Sequence, residues 1–241
     1  MISILEKNTW LLWDDGSHSP YLNMAIDELL LQESFNTKTP ILRFYGWDRP
    51  ALSIGYIQKF NELTHDGYTI VRRPTGGGVV YHDIDMTYTV VIPQSHKLAS
   101  TNRLESYKIF HDLIIEALKT MNIKAEFVET TNEPKERSTM KCFSAPVKFD
   151  IAAAERDSNG KISKIAGAAQ RRTKLGILHQ GSIVIENIGK YKKELKNSMI
   201  KAFEDKFNLT FINFVPNSQF LTAAEKLSSE KYSTTEWNAI R

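Results

Sequence analysis

Between residues 40 and 93 the chain is strand-like almost throughout, and three consecutive glycines at 76–78 interrupt it. PILRFYGW and ALSIGYI surround a turn at Asp48-Arg49-Pro50, while YTIVRR and MTYTVVI flank the glycines as two strands flank a loop. The first half of the chain is therefore mainly sheet, and amphipathic helices must cover it. TWLLWD (9–14) reads as a further strand. Ser19, an N-cap, and Pro20, at the first helical position, then open a helix with Leu22, Ala25, Ile26, Leu29 and Leu30 on one face.

A second long helix fits 102–121, where Leu104, Tyr107, Ile114, Leu118 and Met121 recur at helical spacing, and KAEFVE returns to strand. Residues 130–141, polar and holding a proline, read as a surface loop or lid. VKFDIAAAE and KISKIAGAAQRR bracket the hairpin signal Asp157-Ser158-Asn159-Gly160, and LGILHQGSIVIE supplies a third strand. The remainder reads as helical. KYKKELKNSMIKAFEDKF places Leu195, Met199, Ala202 and Phe203 on one face, and LTAAEKLSSEKY forms a shorter helix. Lysines 190, 192, 193, 196 and 201 fit the solvated face of the former, with partner docking as the alternative.

With 241 residues and 41% hydrophobic content, the chain can bury a substantial core, and one main domain over 1–241 is expected, with no separate C-terminal accessory domain. One cysteine makes no internal disulfide, and the N-terminus meets charges within six residues, so a cytoplasmic protein is expected. No apolar run approaches the roughly 20 residues that span a bilayer, so no membrane association is expected. The net charge of +3 is too small to imply nucleic acid, and the basic residues lack the aromatic interleaving of a stacking platform.

Two segments carry chemistry. In RRPTGGGVVYHD (72–83) the glycines let a backbone approach a ligand and present N–H groups to it. This is not a Walker loop, because Gly78 leads to Val79-Val80 with no lysine and hydroxyl after it. A glycine-rich hairpin or bulge is the alternative, with His82 a structural histidine and Arg72 or Arg73 paired to an acid. In SKIAGAAQ (163–170), strand alternation puts Lys164 on the face of Ala166 and Ala168, at the edge of an apolar run. Burial would depress its pKa and suit it to binding or catalysis; alternatively it starts the strand and snorkels to water. Gly167, Ala168 and Ala169 leave a narrow space that fits a linear aliphatic chain.

RRPTGGGVVYHD, KIAGAAQRRTKLGILHQGSI, NMAIDELLL and LRFYGWDRPALSIGYIQ together resemble the lipoate/biotin protein ligase and octanoyltransferase family, over about Trp13 to residue 207. The resemblance implies an α+β fold, a mixed β-sheet flanked by helices. It also implies an enzyme that passes an eight-carbon acyl group to one lysine of a lipoyl-type carrier domain. Carried over by motif, Arg73, Gly78, Val79, Val80 and Tyr81 belong to the loop lining the acyl site, with Gly76, Gly77, His82, Gly167 and Ala168 completing the substrate-binding set. Lys164 corresponds to the lysine facing the reacting carbonyl, where an ammonium stabilises the oxyanion. At 179–181 the order is His-Gln-Gly rather than histidine directly before the glycine, and no role is carried to His179.

The family divides by chemistry, and CFSAPVKFD, with the lone Cys142, resembles its cysteine-dependent octanoyl-[acyl carrier protein]:protein N-octanoyltransferase branch. That branch implies an acyl-thioester on Cys142, acyl carrier protein as donor, and as acceptor a lipoyl domain of a 2-oxoacid dehydrogenase subunit or glycine cleavage H protein. No metal or cofactor is then required. An ATP-dependent lipoate ligase, needing ATP and magnesium, is the alternative; a non-catalytic carrier-binding module is a third. Judged by its residue type alone, a single cysteine is as well read as a small buried apolar side chain.

Overall fold

The computed structural model describes residues 8–60, 67–129, 148–156 and 162–240. Among the described residues, eleven strands form two sheets. The larger has eight, in the order β11 (Thr210–Asn213), β1 (Thr9–His18), β2 (Ile41–Trp47), β6 (Met86–Pro93), β10 (Gly176–Ile183), β9 (Ile162–Thr173), β8 (Ile151–Arg156) and β7 (Ala125–Phe127). β1 pairs parallel to both β2 and β11, and the other pairings are antiparallel, so the sheet is mixed. The smaller sheet runs β4 (Thr69–Arg72), β3 (Ala51–Ile54), β5 (Val80–His82).

Helices cover both faces of the large sheet, as expected of strands such as β6 that are buried along their whole length. On one face α2 (Arg103–Thr120) and α3 (Ile188–Phe207) enclose a core with Phe44, Val90, Phe110, Ile114, Leu195 and Phe203. On the other, α1 (Pro20–Thr37) and α4 (Ser218–Leu227) pack Ile26, Leu30 and Ala224 on Trp13, Ile41 and Leu178. Ser19 Oγ accepts the Leu22 N–H at 3.2 Å with Pro20 at the first helical position, so α1 starts where its sequence signal stands.

The helix α1 also buries polar groups. Arg43 on β2, fully buried, donates to both Asp15 and Asp27, at 2.6 and 2.7 Å, and to Asn23 Oδ1 at 2.8 Å. The second oxygen of Asp27 accepts from Tyr45, Thr89 and Gln180, and Gln180 Oε1 accepts from Thr75 beside the glycines. One carboxylate thus joins helix, sheet and glycine loop. The small sheet is anchored by Arg72, which donates to the carbonyls of Gly55, Tyr56 and Gln58 and to that of Asn238 in α5 (Thr235–Asn238).

Several expectations need correction. YTIVRR and MTYTVVI both form strands, β4 and β6, but a further strand, β5, follows the glycines directly and comes between them and β6. The C-terminal part is not wholly helical, because Thr210–Asn213 adds a parallel edge strand to β1. α4 begins at Ser218, three residues before the expected helix, and ends in a π-turn over Ser228–Tyr232. Leu104 is exposed at 55%, because it sits in the first turn of α2, ahead of the stretch that meets the sheet. Of the α3 lysines, Lys190, Lys193 and Lys201 are exposed and Lys196 pairs with Asp14, as a solvated face requires. The 130–141 loop and the 157–160 turn lie outside the described residues, although β8 and β9 pair as the hairpin reading requires.

Candidate active site

A cleft opens between the two sheets. Tyr45 and Trp47 of β2, Ser53 of β3, Val80 and His82 of β5, and Gly167–Ala169 of β9 line it, together with Arg73 and Gln180. Its free volume is about 30 Å³, room for a water or two, so an eight-carbon chain requires it to widen.

β9 explains the far wall. β8 begins at Ile151, opposite Ala166, so the backbone of β9 beyond that point is not paired by β8. The side chain of Tyr107 on α2 takes up part of this edge, accepting the Ala168 N–H at 3.1 Å and donating to Asp150 Oδ1. The other Asp150 oxygen holds the Lys164 ammonium at 2.7 Å; the two side chains are 1% and 3% exposed. Lys164 is therefore neither a snorkelling lysine nor aligned with Ala166 and Ala168. The register slips between Ile151↔Ala166 and Ala152↔Lys164, and the ammonium folds across Gly167. A Cβ at Gly167 would stand 2.4 Å from Lys164 Nζ and 3.2 Å from Asp150 Oδ1. Glycine leaves the side-chain space to the ammonium, beside the cleft wall, and any larger residue would have to displace it.

The glycine loop is built inward. Arg73 donates to the Gly76 and Gly78 carbonyls, each at 2.6 Å, and to the Ser53 carbonyl at 2.9 Å. A buried guanidinium with five donors seeks acceptors, so these carbonyls turn to Arg73, where the sequence suggested N–H groups turned to a ligand. Gly77 has φ +84°, and its carbonyl lies 2.0 Å from where a Gly55 side chain would begin. Strand alternation in β5 sends Val80 and His82 into the cleft. Val79 packs away from it with Leu52, Ile54 and Ile70, and Tyr81 meets Tyr68 edge-on.

His82 shares a chain of hydrogen bonds: Ser53 Oγ to Nε2 at 2.8 Å, and Nδ1 to Asp85 Oδ2 at 2.7 Å. Burial alone would raise the Asp85 pKa; His82 and hydrogen bonds from His82, Ser182 and Thr87 outweigh it and hold the carboxyl below its ordinary value. Beneath β9, His111 donates Nδ1–H to the Phe149 carbonyl at 2.6 Å, which leaves Nε2 buried with no partner among the described residues. Desolvation, with a smaller opposing pull from Asp150, lowers the His111 pKa to about 4. His179, fully buried between Tyr88 and Gln170, is likewise shifted down by burial and then by His111. Asp150, Ser53 and Asp85 escaped the sequence reading, and Tyr107 entered it only as part of the apolar face of its helix. Only the approach of Asp150 to the KIAG segment after a short hairpin hinted at a contact. Cys142 lies outside the described residues, and no group of three or more metal-ligating side chains occurs among the described ones.

The sequence profile of the lipoyl protein ligase A/B catalytic domain matches residues 19–209. The chain belongs to this family. An octanoyltransferase LipM from Anoxybacillus flavithermus is 30% identical, with 98% of this chain and 100% of the relative aligned. The octanoyltransferase LipM of Carboxydothermus hydrogenoformans is 33% identical over 95% and 98%. Among solved structures, a putative lipoate protein ligase from T. acidophilum with bound lipoic acid has a TM-score of 0.77 at 23% identity, covering 97% of this chain and 100% of that one. A lipoate-protein ligase A bound with ATP has a TM-score of 0.74 at 24% identity, covering 98% and 99%. These two likenesses establish the expected fold, a mixed sheet flanked by helices. No helix among the described residues is long and apolar enough to cross a membrane.

Two outcomes are expected. Gly167→Ala displaces the Lys164 ammonium and lowers acyl transfer by more than about 10²-fold while the far-UV circular dichroism stays native, consistent with the loss of a charge-stabilising donor; transfer at the wild-type rate would show that the ammonium is not needed there. The second concerns pH. The unfolded chain protonates its histidines near the ordinary value of 6.5, whereas native His111 does so only at about 4. The unfolded state therefore binds more protons in that window, and stability falls as pH drops from about 6.5 to 4. Urea midpoints across that range should fall less steeply in His111→Gln; an unchanged slope would remove His111 from the account.

Proposed function

We propose that this protein is an octanoyltransferase of protein lipoylation, working through an acyl-thioester on Cys142. The observation that carries the reading is the Lys164 ammonium, fixed by Asp150 in the side-chain space of Gly167 at the wall of a cleft with small-residue lining. Relatives aligned along nearly all of this chain bear the octanoyltransferase name, and CFSAPVKFD supplies the thiol.

Octanoyl carried as a thioester on acyl carrier protein meets the Cys142 thiolate, which forms a new C–S bond as the carrier's thiol leaves. A nearby ammonium favours thiolate over thiol and stabilises the oxyanion of each tetrahedral intermediate. The acyl-enzyme is then taken by the lysine of a lipoyl domain, on a 2-oxoacid dehydrogenase subunit or glycine cleavage H protein. Because the donor is already activated, neither ATP, magnesium nor a bound cofactor takes part. On this reading the protein works in the cytoplasm.

Incubation with octanoyl acyl carrier protein, without ATP, is expected to add one octanoyl group to the intact mass of the chain. Cys142→Ala abolishes the gain. Modification of a lipoyl domain that requires ATP and free octanoate and survives Cys142→Ala would replace this reading with that of a ligase.

A further inference from the structure

The acyl-transfer reading leaves one requirement unmet among the residues so far given roles. A lysine acceptor, with an ordinary pKa of about 10.4, arrives as an ammonium and has no lone pair to attack with. Lys164 is itself an ammonium paired to a carboxylate, which makes it a donor and not a base. A proton acceptor must stand elsewhere in the cleft.

Ser53, His82 and Asp85 have that form. Asp85 Oδ2 accepts from His82 Nδ1 at 2.7 Å, from Ser182 at 2.7 Å and from Thr87 at 2.9 Å. These bonds fix the tautomer: the proton is on Nδ1, and Nε2 is the basic nitrogen. The ring is stacked on Trp47 with centroids 4.0 Å apart, and Trp47 is itself tied to Thr87 at 2.8 Å. Nε2 accepts the Ser53 hydroxyl, whose oxygen accepts from Arg73 Nη1 at 3.2 Å. A hydroxyl oxygen has a second lone pair, to which an incoming ammonium can donate. Ser53 and His82 both line the cleft, opposite Gly167 and Ala168. Among the described residues, the charged groups that the hydrogen bonds of His82 reach are Asp85 directly and Arg73 through Ser53.

We propose that Ser53 and His82, with Asp85 behind them, are the relay that deprotonates the acceptor lysine. The ammonium gives a proton to Ser53 Oγ as the Ser53 proton passes to His82 Nε2, and the N–H electron pair stays on nitrogen. The neutral amine attacks the acyl carbon, the C–S bond breaks with its electrons on sulfur, and the second amine proton goes to the thiolate. The products are amide, Cys142 thiol and a His82 imidazolium opposite Asp85, which returns its proton to water. This rests on the acyl-transfer reading for its acceptor, but not on the thioester, since any acyl donor needs a neutral amine.

The test compares two acceptors on Ser53→Ala and His82→Asn: a lipoyl domain, and hydroxylamine, which is already neutral near neutrality. Transfer to the lipoyl domain should fall by roughly 10²–10⁴-fold. Discharge of the octanoyl-enzyme by hydroxylamine should fall far less than transfer to the lipoyl domain, and the deficit with the lipoyl domain should narrow as pH rises toward the amine's own pKa. Equal losses with both acceptors in Ser53→Ala, or no loss with either, overturn the relay. If His82→Asn is damaged in both assays, the outcome of Ser53→Ala decides. If the wild type forms no octanoyl-enzyme, the thioester reading fails on its own, and the same comparison run with octanoate and ATP still supports or overturns the relay.

Discussion

An ammonium and a carboxylate, both nearly without solvent, meet at Lys164 and Asp150, and the surroundings of the site follow from keeping that pair satisfied. Desolvating two charges costs several kcal/mol per ion unless geometry and further hydrogen bonds return it, and removing one partner of such a pair typically costs about 3–5 kcal/mol. Tyr107 holds the second Asp150 oxygen and ties it to the Ala168 N–H. Helix α2, the residue before β8 and the middle of β9 are thereby fixed to one another. The ammonium fills the space beside Gly167, so a side chain there would have to displace it. A lysine held this rigidly presents charge with little reorganisation, the condition under which electrostatic stabilisation of an oxyanion is strongest.

The opposite wall depends on a different device. Arg73 draws the carbonyls of Gly76 and Gly78 inward, and the chain from Asp27 through Gln180 to Thr75 ties the same loop to α1 and β10. The glycines serve close approach: Gly77 lies over Gly55 and faces Ala169 with a separation of 3.6 Å from where its own Cβ would be. The cleft is thus bounded by two sheets, each with its own buried polar clamp. Its apolar lining of Val80, Gly167, Ala168 and Ala169 suits an alkyl chain.

Periodic features were legible in the sequence. The Ser19-Pro20 start, the α2 and α3 faces and the β8–β9 pairing read directly, because capping, helical spacing and turn chemistry are local. Tertiary choices were not. That Val80–His82 forms a strand of its own is decided by its pairing with β3, and nothing in so short a segment encodes it. Thr210–Asn213 is too short to read as a strand without β1 beside it. Alternation predicted the wrong face for Lys164, because an irregular register opposite β8 redirects its side chain. Asp150 and Asp85 looked like ordinary polar residues near strand ends, and only the fold brings Tyr107, Ser182 and Thr87 to them. The glycine segment forms a loop between β4 and β5, as its composition suggests, while the direction of its carbonyls depends on the burial of Arg73.

A crystal structure of the octanoyl-charged protein tests the central claim most directly. The account predicts a thioester on Cys142 with its carbonyl oxygen within hydrogen-bond distance of Lys164 Nζ, and an alkyl tail along Gly167–Ala169 in a cleft widened by movement of Met24, Tyr45 or Trp47. An octanoyl chain found on another surface, with Lys164 and the cleft between the sheets unchanged, would contradict it.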